Sequence, residues 1–291
     1  MHYATFVRIL TAYAAIAVLS ACTGGGAAST PAPAPEHLYV TDGSGNLRVY
    51  ALPLTSSSVP VLTLPIGGTL AQVAVSGNSL YVAKSSTVAV YALPLKASST
   101  PVQTLTASHA NTIGLAIDSN GTVYVGENPS STCCVDVFVG GASTPTFTLS
   151  GSNVIDPYGV AVDSNGNLFL ANAGNVGYFA SPVQSNEAGI VFGRDEYNEG
   201  IAVDSSDNVY VADGDGVGTM DVYHPAYSAI SAPTSTVSLA GTLEQMTIAS
   251  DATMYIAIYS PNQLDVLDSP YTSVSLSVPT SFTPYGVAVG P

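Results

Sequence analysis

Carboxylate side chains recur at two positions of a segment that this chain repeats every 41 to 45 residues. Glu199 and Glu244 stand directly before two copies of the segment, and Asp213 and Asn172 end the second predicted strand of their copies. Oxygen ligands of this kind suit Ca²⁺ or Mg²⁺. We therefore predict Glu199, Asp213 and Glu244 as candidate ligands of a divalent ion. The same acids are also compatible with a solvated rim that binds nothing.

Two tyrosines occupy the same repeat position as these glutamates. Tyr158 and Tyr285 each follow a proline and precede the glycine that begins a copy. Their rings are suited to stack on a ligand, or they plug a channel without binding anything. The sequence has no Trp, which makes a sugar a less favoured ligand. The predicted ligand-binding residues are Tyr158, Asn172, Glu199, Asp213, Glu244 and Tyr285.

Cys133 and Cys134 are adjacent in the sequence. In an exported protein they could close a vicinal disulfide, or they could alternate across a strand and remain reduced. The spacing typical of a structural zinc site is missing, because no second cysteine pair accompanies them.

No group of side chains suited to catalysis is visible in the sequence. Of the four histidines, His109 is the one expected near the carboxylates, and no partner that would make it a base is apparent. The segment Gly77-Asn78-Ser79-Leu80 lacks the glycine that closes a nucleophile elbow. We therefore predict no catalytic residues and no cofactor, with Ca²⁺ or Mg²⁺ as the exception that the carboxylates leave open.

The composition restricts the class of partner. The 291 residues include 20 acidic and five basic side chains, for a formal net charge of -15. Such a surface repels phosphate backbones, so nucleic acid is disfavoured as a partner. Short runs of Val, Ile, Leu, Tyr and Thr alternate with Gly, Asn, Asp, Ser and Pro, a pattern typical of short strands and tight turns.

The N-terminus has the features of an export signal. An apolar run from Ile9 to Leu19 follows Arg8 and is too short to span a bilayer comfortably. It ends in Leu19-Ser20-Ala21-Cys22, and small residues before a cysteine resemble the lipobox of bacterial lipoproteins, whose cysteine carries the lipid. Thr23 after the cysteine favours the outer membrane, so we predict an envelope protein that contacts the membrane through its lipid anchor alone.

These features divide the chain into three parts. The Gly/Ala/Pro-rich stretch after the cysteine cannot bury a core and is expected to act as a tether. The predicted parts are a lipoprotein signal peptide at 1–21, a tether at 22–35 that begins with the lipidated Cys22, and one domain at 36–291.

The repeat predicts the architecture of that domain. Five copies begin at Gln72, Gly114, Gly159, Gly200 and Gln245. A half-copy at 286–289 ends the chain, and its missing second half begins the domain at 37–42. A propeller closes its ring by building one blade from both chain ends. We therefore predict an all-β, six-bladed β-propeller of four-stranded antiparallel blades. Its continuous blades are expected near 70–106, 113–150, 158–193, 199–240 and 244–279.

Residue types at fixed repeat positions support this architecture. Only small side chains fit where blades converge at the axis, and the second strand of each copy carries an aromatic residue. The small residues are Ala74, Ala116, Ala161, Ala202 and Ala288, with Thr247 as the exception. The aromatic residues are Tyr39, Tyr81, Tyr124, Phe169, Tyr210 and Tyr255.

The repeat also carries a family resemblance. The unit GVAVDSNGNLFLAN at 159–172 resembles the NHL repeat, and LYVTDGSGNLRVYALP at 38–53 resembles the YVTN-type repeats of bacterial surface proteins. The resemblance covers about 36–291 and implies a propeller. RNA-binding NHL domains have a basic face, which this chain lacks. Lactonases similar to gluconolactonase hold a divalent ion with Glu, Asn and Asp in this region, whereas this chain has only two carboxylates in the column before the glycine.

Three functions remain open on these grounds, the third being a purely structural surface protein in an adhesive layer. The favoured hypothesis is a monomeric, non-enzymatic binding or scaffolding propeller on the cell envelope, whose partner is a protein or a small ligand at one propeller face. The alternative is a metal-dependent, lactonase-like hydrolase at the channel mouth.

Overall fold

The computed structural model describes residues 36–128, 133–194, 197–214, 216 and 218–291. These residues form strands, turns and loops without a helix. The signal peptide predicted at 1–21, the tether at 22–35 and the lipidated Cys22 lie outside the described residues. Within the described part of the chain, no helix has the length and apolar character needed to cross a bilayer.

Six four-stranded antiparallel sheets account for the domain, as predicted, and each is one blade. Blade 1 contains β1 (His37–Asp42), β2 (Asn46–Ala51), β3 (Leu62–Pro65) and β24 (Pro284–Gly290). Blade 2 contains β4 (Leu70–Ser76), β5 (Ser79–Lys84), β6 (Thr87–Ala92) and β7 (Gln103–Thr106). Blade 3 contains β8 (Thr112–Ile117), β9 (Val123–Glu127), β10 (Val135–Phe138) and β11 (Phe147–Leu149).

The remaining blades follow in chain order. Blade 4 contains β12 (Pro157–Val162), β13 (Leu168–Asn172), β14 (Asn175–Phe179) and β15 (Ile190–Phe192). Blade 5 contains β16 (Asn198–Val203), β17 (Val209–Asp213), β18 (Thr219–Tyr223) and β19 (Ser235–Ser238). Blade 6 contains β20 (Thr242–Ile248), β21 (Thr253–Ser260), β22 (Gln263–Asp268) and β23 (Leu276–Pro279).

The predicted closure of the ring is confirmed. Strand β24 pairs antiparallel with β1, with Tyr39 opposite Ala288. The Tyr39 hydroxyl also donates a hydrogen bond to the carbonyl of Pro291. Thr41 ties this blade to the next one, because its Oγ1 accepts from the Gly286 N–H at 2.8 Å and donates to the Ala71 carbonyl at 2.5 Å.

The hydrophobic core lies between the blades. Six clusters of buried apolar side chains occur among the described residues, one between each pair of neighbouring blades. Strands such as β9 and β13 are buried along their whole length because neighbouring blades cover both faces of the sheet. The aromatic residues of the second strands fill these clusters, as Tyr39 and Phe169 show with exposures of 1% and 0%.

Three buried aspartates on third strands, which the sequence analysis did not single out, hold the outermost strands in place. Each accepts a hydrogen bond from a Thr or Ser of the neighbouring fourth strand, at 2.5 to 2.7 Å. Because an unpaired buried carboxylate costs several kcal/mol, the hydroxyl partner is a strong positional constraint. The pairs are Asp136 with Thr148, Asp221 with Thr236, and Asp265 with Ser277.

The inner strands approach closely at the glycine that begins each repeat. A Cβ placed on Gly200 would lie 2.1 Å from the carbonyl oxygen of Glu244 in the next blade. The lack of a side chain at Gly200 therefore allows backbone contact between β16 and β20.

We expect Gly200→Ala to destabilise the domain by more than about 3 kcal/mol, because the added methyl group would collide with the Glu244 carbonyl oxygen and must push two blades apart. Gly140→Ala is the matched control, since its methyl group enters open space at a φ of 64° and costs only about 1–2 kcal/mol through the backbone. Urea unfolding of both variants measures the difference. An equal or smaller loss for Gly200→Ala would contradict the close approach of the inner strands.

Candidate functional site

The inner strands bring the two predicted glutamates together at one end of the central channel. Glu199 is the second residue of β16 and Glu244 is the third residue of β20, and these strands are in backbone contact at Gly200. The Glu199 side chain lies across the backbone of Gly214, whose added Cβ would be 2.5 Å from the Glu199 carboxyl carbon. The carboxyl group therefore has a defined position at the mouth.

The two carboxyl groups form a hydrogen-bonded pair. Burial, the charge of Glu199 and the hydrogen bond between them raise the pKa of Glu244 to about 9. Burial also raises the pKa of Glu199, against the opposing effect of the hydrogen bond from Glu244, and the Asp213 charge adds to the increase. Because its pKa is about 9, Glu244 keeps its proton at neutral pH and donates it to a Glu199 oxygen.

Tyrosine rings surround this pair. The rings of Tyr158 and Tyr197 have centroids 4.9 Å apart, and those of Tyr259 and Tyr285 are 6.0 Å apart. Burial, together with the nearby charge of Glu244, raises the pKa of Tyr285 above its ordinary value. The pKa of Tyr197 is raised by burial and by its hydrogen bond with Tyr158. Tyr197 and Tyr285 therefore remain neutral at physiological pH.

The pair and two of these rings line a cavity of about 230 Å³. This volume is below the roughly 300–1,000 Å³ typical of pockets for drug-sized ligands, so the cavity suits a small molecule. We call it the mouth cavity. It is lined by Thr69, Leu70, Ala71, Ser85, Asn111, Thr112, Ile113, Tyr158, Glu199, Glu244, Gln245 and Tyr285.

Two glutamines, Gln72 and Gln245, occupy the repeat position that glycine holds in the other copies, and each bonds to the backbone of other blades. The Gln245 amide nitrogen donates to the carbonyls of Tyr158 at 3.1 Å and Glu199 at 2.8 Å. The Gln72 Oε1 accepts from the Leu115 N–H at 2.5 Å. Gln72 also lines a second cavity of about 280 Å³, whose walls are the inner strands with their small residues.

Two buried polar atoms of residues that line the mouth cavity have no hydrogen-bond partner among the described residues. The Gln245 Oε1 and the Thr112 Oγ1 make no hydrogen bond with any described residue. Their residues are only 6% and 2% exposed. Buried polar atoms normally have a partner, so a donor from a bound molecule would complete both. Neither residue was predicted, although the replacement of glycine by Gln245 in a weaker repeat copy was a visible signal.

The six predicted ligand-binding residues fall into two groups. Tyr158, Glu199, Glu244 and Tyr285 line the mouth cavity. Asn172 is fully buried, and its amide contacts the Ile155 N–H and the Asn153 carbonyl instead. Asp213 is 5% exposed and accepts a hydrogen bond from Thr219 at 3.3 Å. A metal ion held by Glu199, Asp213 and Glu244 stays a prediction.

A second polar cluster lies in blade 3. Cys133 and Cys134 are joined by a disulfide. The His109 Nδ1 lies 2.8 Å from the Glu127 Oε2, 3.6 Å from the Cys133 Sγ and 3.4 Å from the Cys134 Sγ. Glu127 is fully buried, and burial raises its pKa to about 7 despite its hydrogen bonds with His109. In the sequence His109 stands as a lone histidine, because the residues that contact it are up to 25 positions away.

Comparisons with known proteins identify the fold. No protein-family model and no curated protein matches the chain. A crystal structure of a protein of unknown function from Bacteroides caccae is similar, with 13% identity and a TM-score of 0.66 over 88% of this chain and 99% of that one. A chain of a nidogen/laminin complex gives 15% identity and a TM-score of 0.69, over 88% of this chain and 98% of that chain.

The WD40 β-propeller domain of Doa1 is also similar, with 12% identity and a TM-score of 0.60 over 86% of this chain and 82% of that one. At these identities the likeness shows the propeller fold alone, because unrelated functions share such folds.

Proposed function

We propose that this protein is an envelope lipoprotein whose propeller is a non-enzymatic binding module, with the mouth cavity as its ligand site. The fold is compatible with a binding module, since propellers hold ligands and partners on rigid loops around the channel. The sequence Leu19-Ser20-Ala21-Cys22 after an apolar run supports the lipid anchor. The NHL-like and YVTN-like repeat pattern at 36–291 supports a surface or envelope role.

The ligand class follows from one observation: the hydrogen-bonded pair of Glu199 and Glu244 lines a small cavity together with the rings of Tyr158 and Tyr285. No Lys or Arg lines this cavity among the described residues, and the chain carries a net charge of -15. A carboxylate beside aromatic faces is the arrangement that recognises an ammonium group. The free oxygen of Gln245 would accept a hydrogen bond from a donor on the same ligand. We therefore infer a small organic cation that also bears a hydroxyl or amide group.

Choline is a suitable probe for this class, because it combines a quaternary ammonium with a hydroxyl. In isothermal titration calorimetry of the full-length chain at pH 7, we expect saturable choline binding with one site. The neutral isostere 3,3-dimethylbutan-1-ol should bind at least tenfold more weakly, because it lacks the charge that Glu199 pairs with.

The matched variants separate the mouth from the general acidity of the surface. Glu199→Gln should weaken choline binding at least tenfold. Asp268→Asn, which removes an exposed carboxylate at the end of β22, should leave it unchanged. Equal binding of choline and its neutral isostere, or equal loss in both variants, would refute the cation site.

The hydrolase alternative is tested by titrating the same chain with Ca²⁺ or Mg²⁺ and by assaying lactone hydrolysis. Stoichiometric, tight binding of Ca²⁺ or Mg²⁺ that is lost in Glu199→Gln, together with lactone hydrolysis, would replace the binding module by a metal-dependent enzyme. Absence of both results would leave the module as the better account.

A further inference from the structure

The cluster in blade 3 combines four side chains that are each good ligands for a thiophilic metal. Cys133, Cys134, His109 and Glu127 offer two sulfurs, one imidazole nitrogen and one carboxylate oxygen, and these atoms lie within 4.8 Å of one another. They come from three places in the chain: the loop before β8, the end of β9 and the approach to β10. The fold assembles a ligand set that linear spacing does not reveal.

The distances fit a tetrahedral ion. Zn²⁺ bonds of about 2.3 Å to sulfur and about 2.0–2.2 Å to nitrogen and oxygen place neighbouring ligands roughly 3.4–3.6 Å apart. The imidazole nitrogen is 3.4 and 3.6 Å from the two sulfurs. The Glu127 Oε2 is 3.2 Å from the Cys134 Sγ and 2.8 Å from the His109 Nδ1. Shifts of roughly half an ångström would therefore complete the contacts of the nitrogen and oxygen ligands, and reduction of the disulfide would let the two sulfurs separate.

The site has both a rigid side and an open side. Glu127 and Cys134 are buried, with exposures of 0% and 1%, so their positions are fixed by packing. The side chain of His109 is 45% exposed, and Cys133 is half-buried. A metal ion can therefore reach the cluster from solvent, while two of its ligands are already in position.

We propose that the reduced form of this cluster is a binding site for Zn²⁺ or Cd²⁺, and that the disulfide between Cys133 and Cys134 closes it. In the disulfide the two sulfurs are bonded to each other, whereas a tetrahedral ion requires them to be about 3.8 Å apart. Oxidation and metal binding therefore exclude each other, and the site reports the thiol redox state of its compartment.

The reduced site forms in two steps, reduction of the disulfide and binding of Zn²⁺. A phosphine reductant takes up one oxygen from water and becomes a phosphine oxide, and it supplies the two electrons that break the S–S bond. The water supplies the two protons that convert both sulfurs to thiols. Zn²⁺ then displaces these two protons, forms two Zn–S bonds, and takes the His109 Nδ1 and a Glu127 oxygen as its third and fourth ligands.

The test uses the full-length chain with Cys22→Ser, so that Cys133 and Cys134 are the remaining thiols. The chain is reduced with the phosphine, freed of reductant under argon, and titrated with Zn²⁺ against a chromophoric chelator. We expect one equivalent bound, at least 100-fold more tightly than by the oxidised chain. Cd²⁺ should produce a cadmium–thiolate charge-transfer band in the reduced chain alone, a readout that needs no ligand variant.

Ligand variants identify the site. Cys133→Ser with Cys134→Ser should abolish tight binding, and His109→Asn and Glu127→Gln should each weaken it at least tenfold. His224→Asn, at an exposed histidine near the end of blade 5's third strand, is the matched control and should change nothing. Equal zinc affinity of the reduced and oxidised chains would overturn the proposal. Unchanged binding in His109→Asn would also overturn it.

Discussion

Deletion of residues 284–291 is expected to abolish the cooperative unfolding transition of the domain. The deleted segment is strand β24, the innermost strand of blade 1. Without it, the backbone of β1 loses its partner, and the hydrogen bonds of Thr41 and Tyr39 to this segment disappear. Typical domains are stable by only about 5–15 kcal/mol, so the loss of a buried strand from a closed ring removes most or all of that margin.

Circular dichroism during a urea titration measures this effect in the chain that lacks residues 284–291, compared with the full-length chain. A point variant provides a second test if the truncation aggregates. Val287→Asp places a charge at a position that is 2% exposed between blades, and we expect a loss of several kcal/mol. Val59→Asp, at a position that is 72% exposed, should cost little. A truncated chain with an unchanged midpoint would contradict ring closure by the two chain ends.

The second large effect is a fall in stability as the pH rises. The pKa of Glu244 is raised to about 9 in the folded chain, and its ordinary value is 4.5. Between these values the folded state keeps a proton that the unfolded state has lost. Stability from this group is therefore greatest below pH 4.5 and decreases through the window up to about pH 9. Because the folded state binds one proton more than the unfolded state in this window, the free energy of unfolding falls by up to about 1.4 kcal/mol for each pH unit.

Glu244→Gln removes this dependence because its side chain stays neutral at every pH. Unfolding free energies measured between pH 5 and 9 should fall more steeply for the unmodified chain than for the variant. Asp268→Asn should keep the steep slope, since its carboxylate is exposed. Parallel curves for the unmodified chain and Glu244→Gln would show that the carboxyl pair holds no shared proton.

The fold was predictable because the repeat states the same physical constraints several times. A glycine or glutamine begins each repeat copy, an alanine follows two residues later in all copies but one, and an aromatic residue sits on the next strand, as Gly200, Ala202 and Tyr210 illustrate. The structure confirms the six blades and the pairing of both chain ends. The aspartates of the third strands escaped prediction, because their hydroxyl partners lie on fourth strands that vary in sequence.

The mouth of the channel was predictable only in part. The column before the repeat glycine correctly indicated that Glu199 and Glu244 share one end of the propeller. Their direct hydrogen bond depends on the contact between two inner strands, and sequence spacing does not encode that distance. Asn172 and Asp213 hold the next column, but both are buried, and neither lines the mouth cavity.

The cluster around His109 could not be predicted from sequence spacing at all. Its four residues come from three separate places in the chain, so only the closed blade reveals them as neighbours. The adjacent cysteines left a disulfide and a reduced pair both open, and the structure contains the disulfide.

The central claim is that the mouth cavity is a cation site built on a carboxyl pair that shares one proton. The most direct measurement is ¹³C NMR titration of the glutamate carboxyl carbons, with signals assigned through Glu199→Gln and Glu244→Gln, in the absence and presence of choline. We predict that one carboxyl of the pair titrates far above the ordinary glutamate range, and that choline lowers its pKa because a nearby cation favours the ionised form. Two carboxyls that titrate near 4.5, with or without choline, would contradict the account.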